Sequence, residues 1–468
     1  MQLSRMSFFK SALAAGAFPY IAGCLGLKGS VSRGDKVRLA CIGVGNQAWN
    51  DIVEFMKTGD AVIAALCDVD LGAKHTEKAL ATYPDVPRFK DFRRMFDAME
   101  GKIDAVLVGT PDFSHFPATM DAIRRGIPVY VEKPLAHTFQ ECELLMQAEK
   151  KYDAICQLGN QGHSGANPLQ MGEYVKKGII DPSKLVRMVA HMNNPRRWHK
   201  WNGDVKSFPA AEKIPETLDW NLWLSQTLPH DYSKHYINGD WRCWYDFGMG
   251  CLGDWGAHTM DTMHRFFELG LPSEVKISDV KGWNPYVYPM QDTLRFTFDA
   301  KGKRPKIDLE WYEGINNMPK LPKGYKYLAW GGDIPAAKGS TAKAAQKLIP
   351  GRFFELSDGS AWEGGSHSAP LLKIGVDKKD LPAYTQPVGT HWKNFLMAVK
   401  GEAKVNSPFS IGAPLSQVFC LGVIAQRLNR GFKFDPDKQE IVGDSEANAL
   451  LLGPTGDPRK GWEEYYKV

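Results

Sequence analysis

The stretch KVRLACIGVGNQAWN, residues 36 to 50, decides the fold of the N-terminal part of the chain. Its apolar run, residues 37 to 42, predicts a buried strand, and the glycines that follow open a helix. Gly43 and Gly45 occupy the first two glycine positions of a GxGxxG pattern, and Ala48 occupies the third. Such a turn lets backbone N–H groups at a helix start approach a pyrophosphate. The pattern predicts a dinucleotide site, although a plain strand-to-helix turn reads the same way.

The next apolar run, AVIAALCDVD at residues 61 to 70, predicts a second buried strand that ends in an acid. Asp68 stands where an acid hydrogen-bonds the adenosine ribose in dinucleotide-binding units. It would repel a ribose 2′-phosphate, so the sequence favours NAD over NADP, although Asp70 or a nearby arginine could blur this preference. Further strands in IDAVLVGTPD, IPVYVEKP and AICQLGNQG alternate with helix-like stretches. They predict a doubly wound parallel sheet over roughly residues 36 to 160.

Two charges follow the strand predicted in VYVEKPLAHT, residues 129 to 138. The apolar run ends in Glu132 and Lys133, which a buried strand interior should not carry. Pro134 biases Lys133 toward an extended conformation, so the amine is presented from the end of the strand. Ligands of such sheets lie beyond the carboxyl ends of the strands. We therefore expect Lys133 to face the nicotinamide end of a cofactor, beside GTPDFSH at residues 109 to 115; a lysine on a surface loop is the alternative.

Composition bounds the class of protein. A length of 468 residues suggests two or three domains, and 43% hydrophobic with 24% charged residues describes an ordinary globular protein. The net charge of +5 is small and dispersed, which gives nucleic-acid binding little support. No CxxC pair or HExxH pattern occurs, so we expect no metal. After the first thirty residues we expect no segment long and apolar enough to span a bilayer.

The N-terminal stretch MQLSRMSFFKSALAAGAFPYIAGC, residues 1 to 24, predicts an export signal, with a basic start before a run of small apolar residues. Its ending resembles a bacterial lipobox, in which Cys24 would be lipidated. The expected location is therefore outside the cytoplasm of a bacterium, either periplasmic or as a membrane-anchored lipoprotein. The opening resembles the twin-arginine motif, but Met6 stands where the second arginine belongs, so the export route stays open. An amphipathic or disordered N-terminus of a cytosolic protein is the alternative.

Together, GVGNQA, CDVD, GTPDFSH and EKP resemble the Gfo/Idh/MocA family of NAD(P)-dependent sugar and polyol oxidoreductases. The resemblance implies an α/β chain in which an α+β domain, built on a large, mainly antiparallel open sheet, follows the Rossmann domain. We assign 1–35 to the signal and linker, 36–158 to NAD binding, 159–445 to the substrate domain and 446–468 to a tail. The tail resembles a sugar-processing subset whose members are often exported. The residues predicted to bind NAD are Gly43, Gly45, Asn46, Gln47, Asp68, Thr110, Pro111, His115, Glu132 and Lys133.

A second cluster lies in GCLGDWGAHTMDTMHRFF, residues 250 to 267. Asp254, His258 and Asp261 are spaced four and three apart, which predicts one face of a helix and a proton-transfer unit. The segment resembles the catalytic helix of the family. The resemblance implies that His258 is the base, that Asp254 is a carboxylate beside it, and that Lys133 donates to the same substrate oxygen. Glu132 either orients Lys133 or is structural, and the sequence leaves both open.

Substrate contacts are predicted from aromatic and basic density in NNPRRWHKW, residues 193 to 201, and WRCWYDFG, residues 241 to 248. Sugars are commonly held by aromatic faces with polar side chains. The HGGH-type signature expected of the family's NAD-dependent glycosidases is not apparent, which argues against that branch. The candidate substrate residues are His163, Trp198, Arg242, Trp244 and Asp261.

Three functions of different class remain. The first is a dehydrogenase of a sugar or glycoside hydroxyl, with ring carbon 3 as one candidate position. The second is a redox-neutral lyase or glycosidase that retains its NAD, and the third is a non-catalytic binding protein. The presence of Lys133, Asp254 and His258 weighs against the third. We expect a small sugar or glycoside as the substrate and a homo-oligomeric assembly.

Overall fold

Six parallel strands form the first sheet of the computed structural model, which describes residues 31–32, 34–193, 205–315, 317–326, 350–453 and 458–468. The strands are β1 (Val37–Ile42), β2 (Ala61–Cys67), β3 (Arg88–Phe89), β4 (Ala105–Val108), β5 (Val129–Glu132) and β6 (Cys156–Gly159). Their order is β3-β2-β1-β4-β5-β6, and every neighbouring pair is parallel. This order is that of a dinucleotide-binding sheet and confirms the predicted doubly wound architecture.

Helices alternate with these strands. They are α1 (Asn46–Lys57), α2 (Glu77–Thr82), α3 (Phe92–Ala98), α4 (His115–Arg124) and α5 (Phe139–Tyr152). The residues of β4, β5 and β6 are all buried, as expected for parallel strands that are covered on both faces. A capping box fixes the start of α5, because the Thr138 hydroxyl accepts from the Glu141 N–H and the Glu141 carboxylate accepts from the Thr138 N–H.

A second sheet has nine strands. They are β7 (Leu185–Met192), β8 (Glu274–Lys281), β9 (Gln291–Phe298), β10 (Ile307–Glu313), β11 (Gly351–Leu356), β12 (Ala361–Gly365), β13 (Leu372–Lys373), β14 (Phe432–Asp435) and β15 (Glu440–Ile441). Their order is β13-β12-β11-β7-β10-β9-β8-β14-β15, and only the β7–β10 pair is parallel. The large, mainly antiparallel sheet implied by the family resemblance is therefore confirmed.

The remaining helices cover this sheet and join it to the first. They are α6 (Ala166–Lys176), α7 (Trp220–Leu224), α8 (Gly250–Thr259), α9 (Asp261–Phe266), α10 (His391–Val399), α11 (Phe409–Leu428) and α12 (Ser445–Leu450). Helix α11 packs against both α5 and α8. A Cβ atom at Gly256 would lie 2.7 Å from the Phe419 ring, so only glycine lets α8 approach α11 this closely. This close packing fixes the position of the helix that carries Asp254 and His258.

Helix α11 corrects one expectation from the sequence. Among the described residues it is the one helix long and apolar enough to cross a membrane by length and composition. Most of its residues are buried against α5, α8 and strands β8 and β9 of the large sheet. Its apolar character is therefore that of a core helix, which periodicity alone does not distinguish from a membrane span.

Candidate active site

A cleft of about 890 Å³ lies beyond the carboxyl ends of the parallel strands. It runs from the glycine turn after β1, past Asp68, to Lys133 and Arg242. This volume is within the range of about 300–1,000 Å³ typical of small-molecule and cofactor sites. All ten residues predicted to bind the cofactor line it: Gly43, Gly45, Asn46, Gln47, Asp68, Thr110, Pro111, His115, Glu132 and Lys133.

The glycine turn has the geometry that a pyrophosphate requires. Gly43 has a φ of +78°, and a Cβ there would lie 2.7 Å from the Gly109 carbonyl oxygen, so no other residue fits. Helix α1 begins directly after Gly45, and no side chain caps this helix start. Its first N–H groups and its dipole are therefore available to an anion, and the turn fits a dinucleotide.

Asp68 lies at the end of β2 and lines the cleft. Its carboxylate accepts from the Val44 N–H at 3.2 Å and from the Asp70 N–H at 3.1 Å. His75 Nε2 lies 3.3 Å from the same carboxylate. Burial lowers the pKa of His75, but the hydrogen bond and charge of Asp68 outweigh this and raise that pKa above its ordinary value. The titratable side chain in contact with Asp68 is thus His75, and no arginine among the described residues forms an ion pair with that carboxylate.

We expect NAD(H) to bind more tightly than NADP(H), and Asp68→Ala to narrow the difference in Kd by about tenfold or more, because the variant no longer repels a 2′-phosphate. The measurement is the Kd of each dinucleotide for both proteins. Asp85→Ala, which alters an exposed turn outside the cleft, is the matched control. Equal Kd values for the two dinucleotides in the unmodified protein would contradict the role of Asp68.

Four charged side chains alternate in sign at the other end of the cleft. Lys133 Nζ donates to Asp254 Oδ1 at 2.9 Å and to the Asp254 carbonyl at 3.1 Å. Arg242 Nη1 lies 3.7 Å from the same Oδ1 and 3.3 Å from Asp112 Oδ1. The Met249 N–H donates to the other oxygen of Asp112. The structure therefore brings Lys133 and Asp254, which are far apart in the chain, into direct contact.

Burial and neighbouring charges together shift the pKa values of Asp112 and Arg242. Burial raises the pKa of Asp112 to about 6, although the positive charges of Arg242 and Lys133 oppose that rise. Burial also disfavours the charged form of Arg242, but Asp254 and Asp112 outweigh it and raise the pKa of that guanidinium. The two cations are thus stabilised by two carboxylates in a site largely removed from water.

The backbone on either side of Lys133 is held by neighbouring elements. His115 Nδ1 lies 2.8 Å from the Pro134 carbonyl and its Nε2 lies 2.8 Å from the Thr110 carbonyl. Burial lowers the pKa of His115 to about 4, so the ring is neutral and donates to one carbonyl at a time. The Leu135 N–H donates to the Ser416 hydroxyl of α11. These contacts hold the strand end that presents the amine.

Glu132 has partners other than the Lys133 amine. Its Oε1 accepts from Gln161 Nε2 at 2.6 Å. A hydrogen bond also joins it to Asp51, which accepts from Trp392 Nε1 at 3.0 Å. Burial, together with the charge of Glu132 and this hydrogen bond, raises the pKa of Asp51 well above its ordinary value. Of the two roles that the sequence left open for Glu132, these contacts favour the structural one.

His258 is buried on α8, one helical turn after Asp254, and is 7% exposed. Its Nδ1 has no hydrogen-bond partner among the described residues. The ring stacks on His367, with centroids 3.9 Å apart and an interplanar angle of 16°. Burial lowers the pKa of His258 well below its ordinary value, and the charges of Lys133 and His367 act in the same direction. The imidazole is therefore neutral at pH 7, the form that can accept a proton.

Asp261 does not belong to this cluster, and that part of the prediction is wrong. Helix α8 ends at Thr259 and α9 begins at Asp261, so the three residues do not share one helix. Asp261 Oδ2 accepts from His163 Nδ1 at 2.6 Å, and the Arg265 guanidinium contacts Nε2 of the same ring. His163 and Asp261 thus form a separate buried cluster with Arg265.

Of the other residues predicted to bind substrate, one lines the cleft, one lies in the core and one is outside the described residues. Arg242 lines the cleft, and its guanidinium lies 4.2 Å from the centre of the Trp241 ring. Trp244 is fully buried, and its Nε1 donates to the His235 carbonyl at 3.1 Å. The prediction for Trp244 is therefore corrected, because this ring packs in the core and offers no face to a ligand. Trp198 lies outside the described residues.

Three residues at the site, Asp112, Gln161 and His367, are not among those predicted from the sequence. Asp112 follows β4 as Lys133 follows β5, so its position at a strand's carboxyl end could have signalled it. Gln161, which binds Glu132, carries no such signal. His367 follows β12 and reaches His258 only because the large sheet brings the two segments together, so no local pattern predicts it.

A segment of the second domain, residues 217–226, covers the Asp68 side of the cleft. The Asp219 N–H donates to the Val69 carbonyl at 2.9 Å, and Leu218 forms a β-bridge with Asp70. A Cβ at Gly72 would lie 2.3 Å from the Thr217 side chain. We call residues 217–226 the covering segment. Four of its residues line the cleft, namely Leu218, Leu222, Trp223 and Ser225.

The C-terminal residues anchor the covering segment from outside. Arg459 donates to the Asn221 carbonyl at 2.7 Å and to the Ser225 carbonyl at 2.5 Å. Gln226 Nε2 donates to Glu141 Oε1 at 3.1 Å on α5. The covering segment is therefore attached both to the nucleotide-binding sheet and to the end of the chain.

Comparisons with known proteins agree with this architecture. A model described as an oxidoreductase family, NAD-binding Rossmann fold, matches residues 37–160. A second model, described as an oxidoreductase family, C-terminal alpha/beta domain, matches residues 169–298 and 353–463. The N-terminal domain is thus an NAD-binding domain.

Individual relatives are more distant. The chain is 26% identical over 246 residues to an alpha-N-acetylgalactosaminidase from Shewanella oneidensis, a match that covers 44% of this chain and 54% of that protein. The chain spans about half the length of the curated relatives it matches.

Two solved structures are similar in fold. The WlbA dehydrogenase from Chromobacterium violaceum, in complex with NADH and UDP-GlcNAcA, has a TM-score of 0.56 and 13% identity, covering 90% of this chain and 99% of that one. The aldose-aldose oxidoreductase from Caulobacter crescentus, complexed with glycerol, has a TM-score of 0.52 and 15% identity, covering 85% and 100%.

Proposed function

Because the chain belongs to the Gfo/Idh/MocA oxidoreductase family, whose models match most of its length, we propose that it transfers a hydride between NAD and a secondary hydroxyl of a sugar or glycoside. The observation that carries this proposal is the contact of Lys133 with Asp254 at 2.9 Å, where the cofactor cleft meets the helix of His258. The substrate class rests on the relatives, whose names and ligands include an aldose oxidoreductase and a sugar nucleotide.

In this proposal each side chain has a defined task. NAD, when held by the glycine turn, Asp68 and Thr110, supplies the hydride acceptor. Lys133 donates a hydrogen bond to the reacting oxygen and stabilises its developing negative charge. His258 takes the hydroxyl proton at Nε2, because its Nδ1 is buried.

The charges behind these groups keep them in their working forms. Asp254 holds the Lys133 amine in place through an ion pair of 2.9 Å. Arg242 and Asp112 continue the alternating row, so the carboxylate of Asp254 is balanced from both sides. The row separates the roles of donor and base, because the cation lies at Lys133 while the imidazole of His258 stays neutral.

A redox-neutral lyase or glycosidase is the second candidate. The covering segment favours it, since a nucleotide enclosed by residues 217–226 would exchange slowly with solvent and would have to be regenerated in place. The distant alpha-N-acetylgalactosaminidase points to the same class of substrate. In this reading the residues of the cleft would hold NAD through the whole reaction, and NAD would supply a temporary hydride acceptor, so that no net NADH would be formed.

Product analysis separates the candidates. The full chain is purified, its bound nucleotide is released and identified, and sugars and glycosides are screened for both NADH and products. An oxidised sugar with stoichiometric NADH supports the dehydrogenase. A cleaved glycoside without net NADH supports the redox-neutral enzyme. Binding of sugars without any conversion would overturn both and leave the non-catalytic class.

We further propose that the mature protein is exported, anchored at Cys24, and retains NAD(H), because an exported enzyme has no cytoplasmic NAD pool. Cys24 lies outside the described residues, and the homo-oligomer stays a prediction. Mature protein from the membrane fraction, isolated without added nucleotide, should contain close to one equivalent of NAD(H) by mass spectrometry. A cytosolic location would contradict export, and an empty protein that needs added NAD at every turnover would contradict retention.

A substitution that loosens the covering segment tests whether this segment retains the bound nucleotide. Arg459→Ala removes the contacts with the Asn221 and Ser225 carbonyls, so we expect faster release of bound nucleotide. Arg430→Ala removes another arginine side chain, which forms an exposed ion pair with Asp444 away from the cleft, and is the control. The rate of release into a nucleotide scavenger is the readout, and equal rates in both variants would show that the segment does not retain the cofactor.

A further inference from the structure

His367, the second residue after β12, has an unusual backbone conformation. Its backbone φ is +57°, a left-handed conformation that few non-glycine residues adopt and that the surroundings must maintain. Its N–H donates to the carbonyl of His258 at 3.0 Å, at the end of α8. The loop is thereby attached to the last turn of the helix that carries the base.

Two glycines, Gly162 and Gly165, allow the loop of His367 to pack closely against the segment that follows β6. A Cβ at Gly162 would lie 2.6 Å from the backbone of His367, and a Cβ at Gly165 would lie 2.0 Å from the side chain of Ser368. Any larger residue at either position would displace the loop. The contact between His367 and α8 therefore depends on packing against the segment that follows β6, and not on the loop alone.

The rings of His258 and His367 lie face to face. Their centroids are 3.9 Å apart, and the Trp255 ring is nearly perpendicular to both, at 5.9 Å from each. An imidazole is usually oriented by a hydrogen bond to its second nitrogen. The Nδ1 of His258 has no such partner among the described residues, so ring contacts are what orient it.

We propose that His367 is a positioning residue that fixes the ring plane of His258 by stacking and shields it from water. This inference rests on the proposed function, in which His258 is the base. His367 itself is exposed, and its Nδ1 lies 2.9 Å from the Ser366 hydroxyl. Parallel rings cannot pass a proton to each other through a hydrogen bond, so His367 acts through the orientation and environment of His258.

The charge states of the His258 and His367 rings also affect each other. Protonation of either imidazole disfavours protonation of the other, because two cations would then lie face to face. The other charged groups that act on the pair are Lys133 and Arg352, which disfavour the protonated form, and Asp254, which favours it. Removing His367 should therefore move the pKa of His258 up toward its ordinary value, chiefly by admitting water to a ring that burial now keeps neutral.

Two substitutions separate stacking from the chemistry of the imidazole. His367→Gly removes the ring, and glycine tolerates the left-handed backbone. His367→Phe keeps a flat ring that cannot titrate. We expect His367→Gly to lower kcat at pH 7 by about tenfold to a hundredfold, as small misplacements of reacting groups do, with little change in KM. We expect His367→Phe to restore kcat to within a few-fold.

The second readout does not depend on turnover. NMR titration of the His258 ring in the full chain should give a pKa that is higher in His367→Gly than in the unmodified protein, while His367→Phe keeps it low. Ser368→Ala, next in the loop, is the control. An unchanged kcat or an unchanged His258 titration in His367→Gly would overturn the proposal. A His367→Phe variant as slow as His367→Gly would also overturn it, since stacking would then not be the relevant contact.

The two readouts keep this inference distinct from the proposed function. If the unmodified protein converts no sugar, the proposed function fails, whereas the titration still reports whether His367 controls the environment of His258. If turnover is found and the titration does not respond, the proposed function stands and the positioning role of His367 fails.

Discussion

Lys133→Ala is expected to lower kcat by about two to four orders of magnitude while NAD(H) still binds, because a positioned proton donor contributes about that much. The Lys133 amine is the cation closest to Asp254, at 2.9 Å, and the variant leaves no donor at the reacting oxygen. Nucleotide binding should persist, since the glycine turn and Asp68 at the far end of the cleft are unchanged. The measurements are kcat on the best substrate and the Kd of NAD.

The fold should tolerate this substitution. Arg242 still lies 3.7 Å from Asp254, so the buried carboxylate keeps a counter-charge. Lys177→Ala is the control, because this exposed lysine directly follows α6 and pairs with Glu173 one turn earlier. Near-normal turnover of Lys133→Ala would show that the amine does not act on the reacting oxygen, even if the ion pair with Asp254 is real.

The N-terminal half of the site could be predicted from the sequence because its signals are local. Each residue predicted to bind the cofactor lies at the end of an apolar strand or soon after it, and parallel strands bring their carboxyl ends to one edge of the sheet. Gly43, Asp68 and Lys133 therefore meet in one cleft although they follow three different strands. The same rule, applied to the strand ending at Val108, would also have identified Asp112.

The sheet of the second domain could not be predicted from local sequence patterns, because its strands pair over long distances in the chain. Strand β7 pairs with β10 and β11, which follow it by more than a hundred residues. No periodicity specifies these partners, and the large sheet was expected only from the family resemblance. The stacking of His367 on His258 depends on the same long-range pairing, and so it was missed.

The wrong predictions have equally physical causes. The spacing rule placed Asp261 beside His258 by assuming an unbroken helix, but the helix is interrupted at Met260. Asp261 consequently lies against His163 and Arg265. Trp244 was selected for aromatic density, which does not reveal whether a ring faces a cleft or the core. In this chain it faces the core.

His258→Ala is the complementary prediction, and it too should lower kcat by about two to four orders of magnitude with NAD still bound. A general base must be unprotonated, so turnover of the unmodified protein should fall as the pH drops through the pKa of His258. Burial, Lys133 and His367 all lower that pKa well below the ordinary value of 6.5. Activity is therefore expected to persist below pH 6.5 before it declines.

The pH profile distinguishes loss of a base from general damage to the site. In His258→Ala the residual rate should lose the acid limb, because the group that titrates there is gone. His264→Gln, on the neighbouring helix α9, keeps an N–H donor near the position of Nε2 for the Gly270 carbonyl and should retain both the rate and the acid limb. If His258→Ala kept the same acid limb at a reduced rate, a different group would be the base. Given the row of Asp112, Arg242, Asp254 and Lys133, the next candidate would be Asp112, whose pKa burial raises to about 6.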